Sequence, residues 1–165
     1  FPLILVAVLL VGGLGEGLFP VILAVGIVNV AAITRVVRGE VVGLKEKEFV
    51  EAARAAGVSS YRIMWRHLLP NVLAPALIMA SYLIAVAVIA EAALSFIGLG
   101  AQPPLPSLGK MIADGRGFLR INHWEATIPG IGIVVLVLAV SMIGDGLRDH
   151  FDPRLRHERG SKKNR

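Results

Sequence analysis

The chain contains no cysteine. That absence removes disulfides, thiolate metal sites and a cysteine nucleophile, and it carries no information on redox compartment. Other chemistry is missing too. There is no G-x-x-x-x-G-K-[ST] phosphate loop: Gly109-Lys110-Met111 lacks the first glycine at the required spacing and the hydroxyl residue, so the chain is not expected to bind ATP. No H-E-x-x-H occurs, and His67, His150 and His157 fall on the opposite side of the predicted membrane from His123, which argues against a histidine metal site within one subunit. G-x-S-x-G is absent, and Ser95, Ser107 and Ser141 have no histidine nearby in sequence, so nothing specific supports a hydrolase.

What is present is apolar. Over 165 residues the chain is 55% hydrophobic with a mean hydropathy of +0.71, more apolar surface than a soluble domain of this size usually buries. The first expectation is therefore a membrane protein. The net charge of +5 does not redirect that reading to nucleic acid, because the basic residues cluster beside apolar runs rather than among aromatics on one soluble face.

Phe1 to Leu14 is apolar but covers only about 21 Å as a helix, short of a bilayer core, and reads as the outer part of a cut helix. It lacks the basic start and small-residue cleavage site of a signal peptide. Gly12, Gly13, Gly15 and Gly17 around Glu16 make a short turn, and Leu18 to Thr34 then runs without charge to Arg35 and Arg38, a second span with a basic end. Val72 to Ala90 is charge-free and continues to Phe96, with Pro75 tolerable in its first turn. Gly98 to Pro106 reads as an irregular loop. Ser107 to Glu125 is too polar to cross and suits a short interfacial helix, and Thr127 to Gly144 is the last span. The expected fold is all-α: a polytopic transmembrane helical bundle with three full spans and one partial N-terminal span. The membrane domain is assigned to 1–150, with an external loop over 98–126, and 151–165 to a basic, disordered tail.

Orientation follows from charge. Of the 17 Lys and Arg, fourteen lie in the segment from Arg35 to Asn71 and from Arg148 onward, against three (Lys110, Arg116 and Arg120) in the other connection. The positive-inside rule places loop 35–71 and the C-terminus in the cytoplasm.

The long charged interruption, Glu48 to Asn71, has a pattern of its own. Phe49, Ala52, Ala53 and Ala56 recur at helical spacing opposite Lys47, Glu48, Glu51 and Arg54; Gly57 stops the helix; Ser59 or Ser60 can cap the next. Tyr61, Met64, Trp65 and Leu68 form a second stripe opposite Arg62 and Arg66, and Pro70 is expected to end that helix. Two helices this short cannot bury both stripes themselves, so at least one stripe needs a partner.

Glu51-Ala52-Ala53, Gly57 and Leu69-Pro70 at these spacings resemble the EAA loop of ATP-binding-cassette (ABC) importer permeases, E-A-A-x3-G-x9-I-x-L-P. His67 stands where the general pattern has Ile, and His67-Leu68-Leu69-Pro70-Asn71 is similar to the subfamily that imports dipeptides, oligopeptides and nickel. Glu91 to Pro104 (EAALSFIGLGAQPP), Gly144 to Asp149 (GDGLRD) and Asp152-Pro153-Arg154 are similar to the second permease subunit of those importers. The resemblance covers nearly the whole chain and departs at the front, where such subunits have further helices, so it implies an N-terminally truncated subunit. It implies a type I importer permease fold in the cell membrane. It also implies partners: cytoplasmic ATP-binding subunits that use ATP and Mg, a second permease subunit and an extracytoplasmic binding protein. The chain itself would be no enzyme, would hold no cofactor and would bind no nucleic acid.

The expected coupling loop, 45–71, comprises Phe49, Glu51, Ala52, Ala53, Gly57, Tyr61, Met64, Trp65, Leu69 and Pro70. Glu91 is the acid inside a span, a candidate for the substrate path or gate. About 20 positions from Asn71, roughly 30 Å along a helix, it lies near the outer headgroups, where structural pairing or hydration of a carboxylate is the stronger reading. A channel or secondary transporter is the alternative function, but intramembrane charges and broken helices are sparse. A membrane anchor is a third.

Overall fold

A computed structural model describes residues 3–151. The predicted tail falls outside the described residues from position 152 onward. The elements are α1 Leu3–Leu14, α2 Leu18–Lys45, α3 Glu48–Ala55, α4 Ser60–Ile63, a π-helical turn Met64–Leu68, α5 Leu69–Phe96, α6 Leu108–Gly115, a 3₁₀ turn Arg116–Phe118 and α7 Trp124–Phe151. Among the described residues there is no strand.

Leu18–Lys45, Ser60–Phe96 and Trp124–His150 are each long and apolar enough to cross a membrane, while Leu3–Leu14 is shorter. A bilayer core needs about 20 apolar residues. Three spans and one partial span are thus what the structure holds, in an all-α fold. Their outward faces are apolar: Phe19, Ile22 and Val30 on α2 and Ile131, Val135 and Met142 on α7 are all exposed. In water such surface would be costly, whereas in lipid it is the solvated face.

The chain divides into two compact units, 1–31 with 83–141 and 32–82 with 142–165. In the first, Ala7, Val21, Ala24 and Leu94 form the buried cluster, with Val6, Leu10, Val25 and Leu99 packed on it. The small residues let α1 and α2 approach closely after the turn at Gly15 and Gly17, both at positive φ. Ser107 caps α6 by accepting from the Lys110 N–H at 3.1 Å. Gly109 lies so close to Ala92 that a Cβ there would overlap its backbone. In the second unit Val50, Ile63 and Leu68 are buried together, with Val41, Leu44, Ala53 and Val58 around them.

Three boundaries differ from the sequence reading. α2 does not stop at Thr34 but carries Arg35 and Arg38 within its helix as far as Lys45. The loop expected over 98–126 ends at Trp124, where α7 begins, so 124–126 are helical. Pro70 does not end a helix: Leu69 stays in the right-handed region at φ −55°, ψ −48°, and the helix runs on to Phe96. Proline normally breaks a helix because it lacks an N–H and its ring meets the carbonyl four residues back. Here the preceding turn is π-helical, with the Leu69 N–H bonded to the Met64 carbonyl. The wider turn re-registers the carbonyls just ahead of the ring. Asn71 Nδ2 donates to the His67 carbonyl at 2.6 Å.

Candidate functional site

The loop before α5 is built around Val50. Its side chain is fully buried, and with Ile63 and Leu68 it gives two short helices a small core of their own. α3 ends in a Schellman motif: the Gly57 N–H bonds the Arg54 carbonyl at 2.9 Å and the Val58 N–H bonds the Ala53 carbonyl at 3.1 Å. Gly57 sits at φ +76°, as the sequence predicts for a glycine in this place, and Val58 and Ala53 complete the apolar contact of the motif. Ser59 takes the N-cap position of α4 with extended backbone, but its hydroxyl makes no capping bond, and neither does that of Ser60.

The buried face is not the one the stripes indicate. Of Phe49, Ala52, Ala53 and Ala56 only Ala53 packs inward, and of Tyr61, Met64, Trp65 and Leu68 only Leu68 does. Val50 and Ile63, each one position off its stripe, take the inward places. Phe49, Tyr61, Met64 and Trp65 are left exposed, Tyr61 at 69% and Trp65 at 53%. The rings of Tyr61 and Trp65 lie 6.0 Å apart, and Phe49 lies 6.3 Å from the ring of His67. Arg62 and Arg66 do not oppose these aromatics, because Ser59, Tyr61, Arg62, Trp65 and Arg66 together line one shallow depression. Once Ile63 and Leu68 define the inside, 61, 62, 65 and 66 must share the outside.

Glu51 and Ala52 are exposed on α3, and Glu51 forms no ion pair among the described residues. Leu69 and Pro70 are exposed at the start of α5, inside a helix rather than at its end. The structure therefore gathers Phe49, Tyr61, Met64 and Trp65 as outward side chains and uses Ala53 and Gly57 to hold them. Aromatic and arginine side chains on a rigid support are the composition of interface hot spots.

Glu91 is half-buried on α5 and belongs to a different setting. Ser95 Oγ donates to Glu91 Oε1 at 2.6 Å and accepts from the Ala101 N–H at 3.1 Å. Ser95 is buried, and Gly100 has no Cβ that would collide with its hydroxyl. The carboxylate thus pins the turn after α5. It also borders a cavity of about 570 Å3 whose lining, apart from Ser107, is otherwise of apolar residues such as Ala87, Leu105, Ile133 and Leu136. Sequence reasoning weighed Ser95 only as a nucleophile and did not pair it with Glu91, although their i, i+4 spacing in one helix carries the signal.

Comparison with known proteins decides what kind of chain this is. Residues 1–157 match the family described as the binding-protein-dependent transport system inner membrane component. The chain belongs to that family. This inner membrane component is 45% identical over 94% of its length to a dipeptide transport system permease protein of Alkalihalophilus pseudofirmus, covering 51% of that protein. It is 44% identical over 96% of its length to a putative peptide transport system permease protein of Brucella abortus, covering 53%. To a glutathione transport system permease protein of Escherichia coli it is 41% identical over 94% of its length, covering 52%. It spans about half the length of these curated relatives.

Proposed function

We propose that this chain is the part of an ABC importer permease that couples ATP hydrolysis to transport, and that it helps to line the path of a peptide substrate. The observation that carries the proposal is the outward aromatic and arginine face of the loop before α5, in a chain that belongs to a binding-protein-dependent transport family. Such a face needs a partner, and a cytoplasmic loop meets soluble partners. The partner is an ATP-binding subunit that uses ATP and Mg; Tyr61, Met64, Trp65 and Phe49 seat in it, and Glu51 pairs with one of its basic groups. A second permease subunit completes the path, and an extracytoplasmic binding protein delivers the substrate. Glu91 borders that path at the turn after α5. The relatives are named for dipeptide, peptide and glutathione transport, which supports a peptide substrate over nickel.

The test is reconstitution of the full-length subunit with the second permease subunit, the ATPase encoded beside it and the binding protein. Peptide-loaded binding protein should stimulate ATP hydrolysis, and Trp65→Ala with Tyr61→Ala should lower ATPase retention about tenfold or more, the size expected for hot-spot loss. Solute flux that persists without ATP, with no ATPase retained by the unaltered complex, would instead identify a channel or secondary transporter.

A further inference from the structure

A second concavity lies in the same unit as the loop and shares no lining residue with the aromatic depression, although Met64 of the outward face also lines it. It is a cavity of about 500 Å3 between the end of α2 and the stretch from Ser60 to Val72. One wall is Val37 and Val41 of α2; the other includes Leu69 and Val72 of α5. Lys45 of α2 and Arg54 of α3 are the charged residues of its lining. From Val37 to Lys45 is eight helical residues, so along α2 the lining passes over about 12 Å from an apolar side chain to a cationic one. That polarity follows a helix long and apolar enough to cross a membrane, with Lys45 at its last position.

Neither Lys45 nor Arg54 takes part in an ion pair among the described residues, although Glu46, Glu48 and Glu51 are near them in sequence. The geometry points to an anionic phospholipid of the cytoplasmic leaflet as the occupant. Its phosphate would sit between Lys45 and Arg54, and the upper part of one acyl chain would lie along Val37, Val41, Leu69 and Val72. Charge complementarity favours this occupant. Basic juxtamembrane positions attract anionic headgroups, and a chain of methylenes is the natural filling for a narrow apolar slot. A zwitterionic lipid would fill the slot equally well but would bring no net charge to the two cations. The inference rests on the cytoplasmic placement of the loop proposed above.

The complete importer complex, reconstituted in nanodiscs of phosphatidylcholine with about one third phosphatidylglycerol, is released into mild detergent and weighed by native mass spectrometry. Phosphatidylglycerol should remain bound to the complex through washing while phosphatidylcholine is lost. Lys45→Gln with Arg54→Gln should lower the retained phosphatidylglycerol about fivefold or more, and Lys45→Arg with Arg54→Lys, which keeps both charges, should retain it. Equal retention by the unaltered and Gln-substituted complexes would overturn the site. So would an unaltered complex that holds no phosphatidylglycerol, or crosslinks from Val41 to another segment of the subunit that fills the groove. ATPase stimulation by loaded binding protein is read on the same preparations. Its absence in the unaltered complex would count against the coupling function, whereas its presence with no lipid effect would count against the lipid site alone.

Discussion

The loop before α5 and the turn after it use the same helix stop and then diverge. After α3, Gly57 at φ +76° and Val58 close a Schellman motif on Arg54 and Ala53; after α5, Gly98 at φ +89° and Leu99 close the same motif on Ser95 and Leu94. Neither glycine has a neighbour within 4 Å of where a Cβ would stand. Past Gly57 the chain turns its large side chains outward, leaving Tyr61 and Trp65 bare. Past Gly98 it closes on itself: Ser95 and Ala101 are buried and Gly109 packs on Ala92. One local motif can therefore present a surface or seal one. The residues after the glycine decide between the two.

If one region is a docking surface and the other a sealed joint, on opposite sides of the membrane, the largest difference should be all-or-none. The chain has no cysteine, so single cysteines report cleanly. A cysteine at Ser107 in intact cells should react with an impermeant maleimide, and one at Ser59 should react only after permeabilisation. The reverse pattern would invert the comparison. Next in size, Gly109→Leu should overpack the sealed region by about 3 kcal/mol, read as a lower Tm of the detergent-purified subunit, because a side chain there meets the Ala92 backbone rather than a movable group. Ser95→Ala should cost about 1–3 kcal/mol, since it leaves the buried Ala101 N–H without its acceptor and Glu91 without its donor. An unchanged Tm would mean that water replaces the hydroxyl and that the turn is not sealed.

The sharpest contrast comes from the paired glycines. Gly57→Val and Gly98→Val should each strain the backbone by roughly 1–2 kcal/mol. We expect Gly57→Val to insert normally and lose peptide-stimulated ATP hydrolysis, and Gly98→Val to lower Tm while the surviving complex remains stimulated. Matching phenotypes would erase the distinction between the two regions. The smallest effect belongs to Glu51→Ala on exposed α3, about 0.2–1 kcal/mol of ATPase binding for a surface ion pair. Titration calorimetry that finds no change would remove the pairing assigned to it.

The sequence makes the spans legible because runs of 17 to 19 uncharged residues leave few alternatives, and Gly57 legible because a glycine after a short helical pattern has one common use. The inward face of the loop was harder. Phe49 and Tyr61 are correctly spaced, and by size they outrank Val50 and Ile63, yet the smaller β-branched pair is what the two short helices bury. Pro70 misleads for a related reason. A rule that holds for α-helical carbonyl spacing lapses when the turn ahead is π-helical, and five-residue hydrogen bonding leaves no mark in the sequence of Met64 to Leu68. Ser95 was legible only as a spacing from Glu91, since its second partner, the Ala101 N–H, comes from backbone that no side-chain pattern announces.

The open surroundings of Gly57 make its requirement one of handedness rather than size. An L-alanine has the room there and still resists the positive φ; its mirror image takes that φ by preference. A D-alanine introduced at 57 by chemical ligation should therefore keep the turn. It should also make the loop more stable than the natural residue does, by about 0.4–1 kcal/mol, because it narrows the freedom of the unfolded chain. The loop asks for chirality that ribosomal synthesis does not supply, and the achiral residue is the compromise.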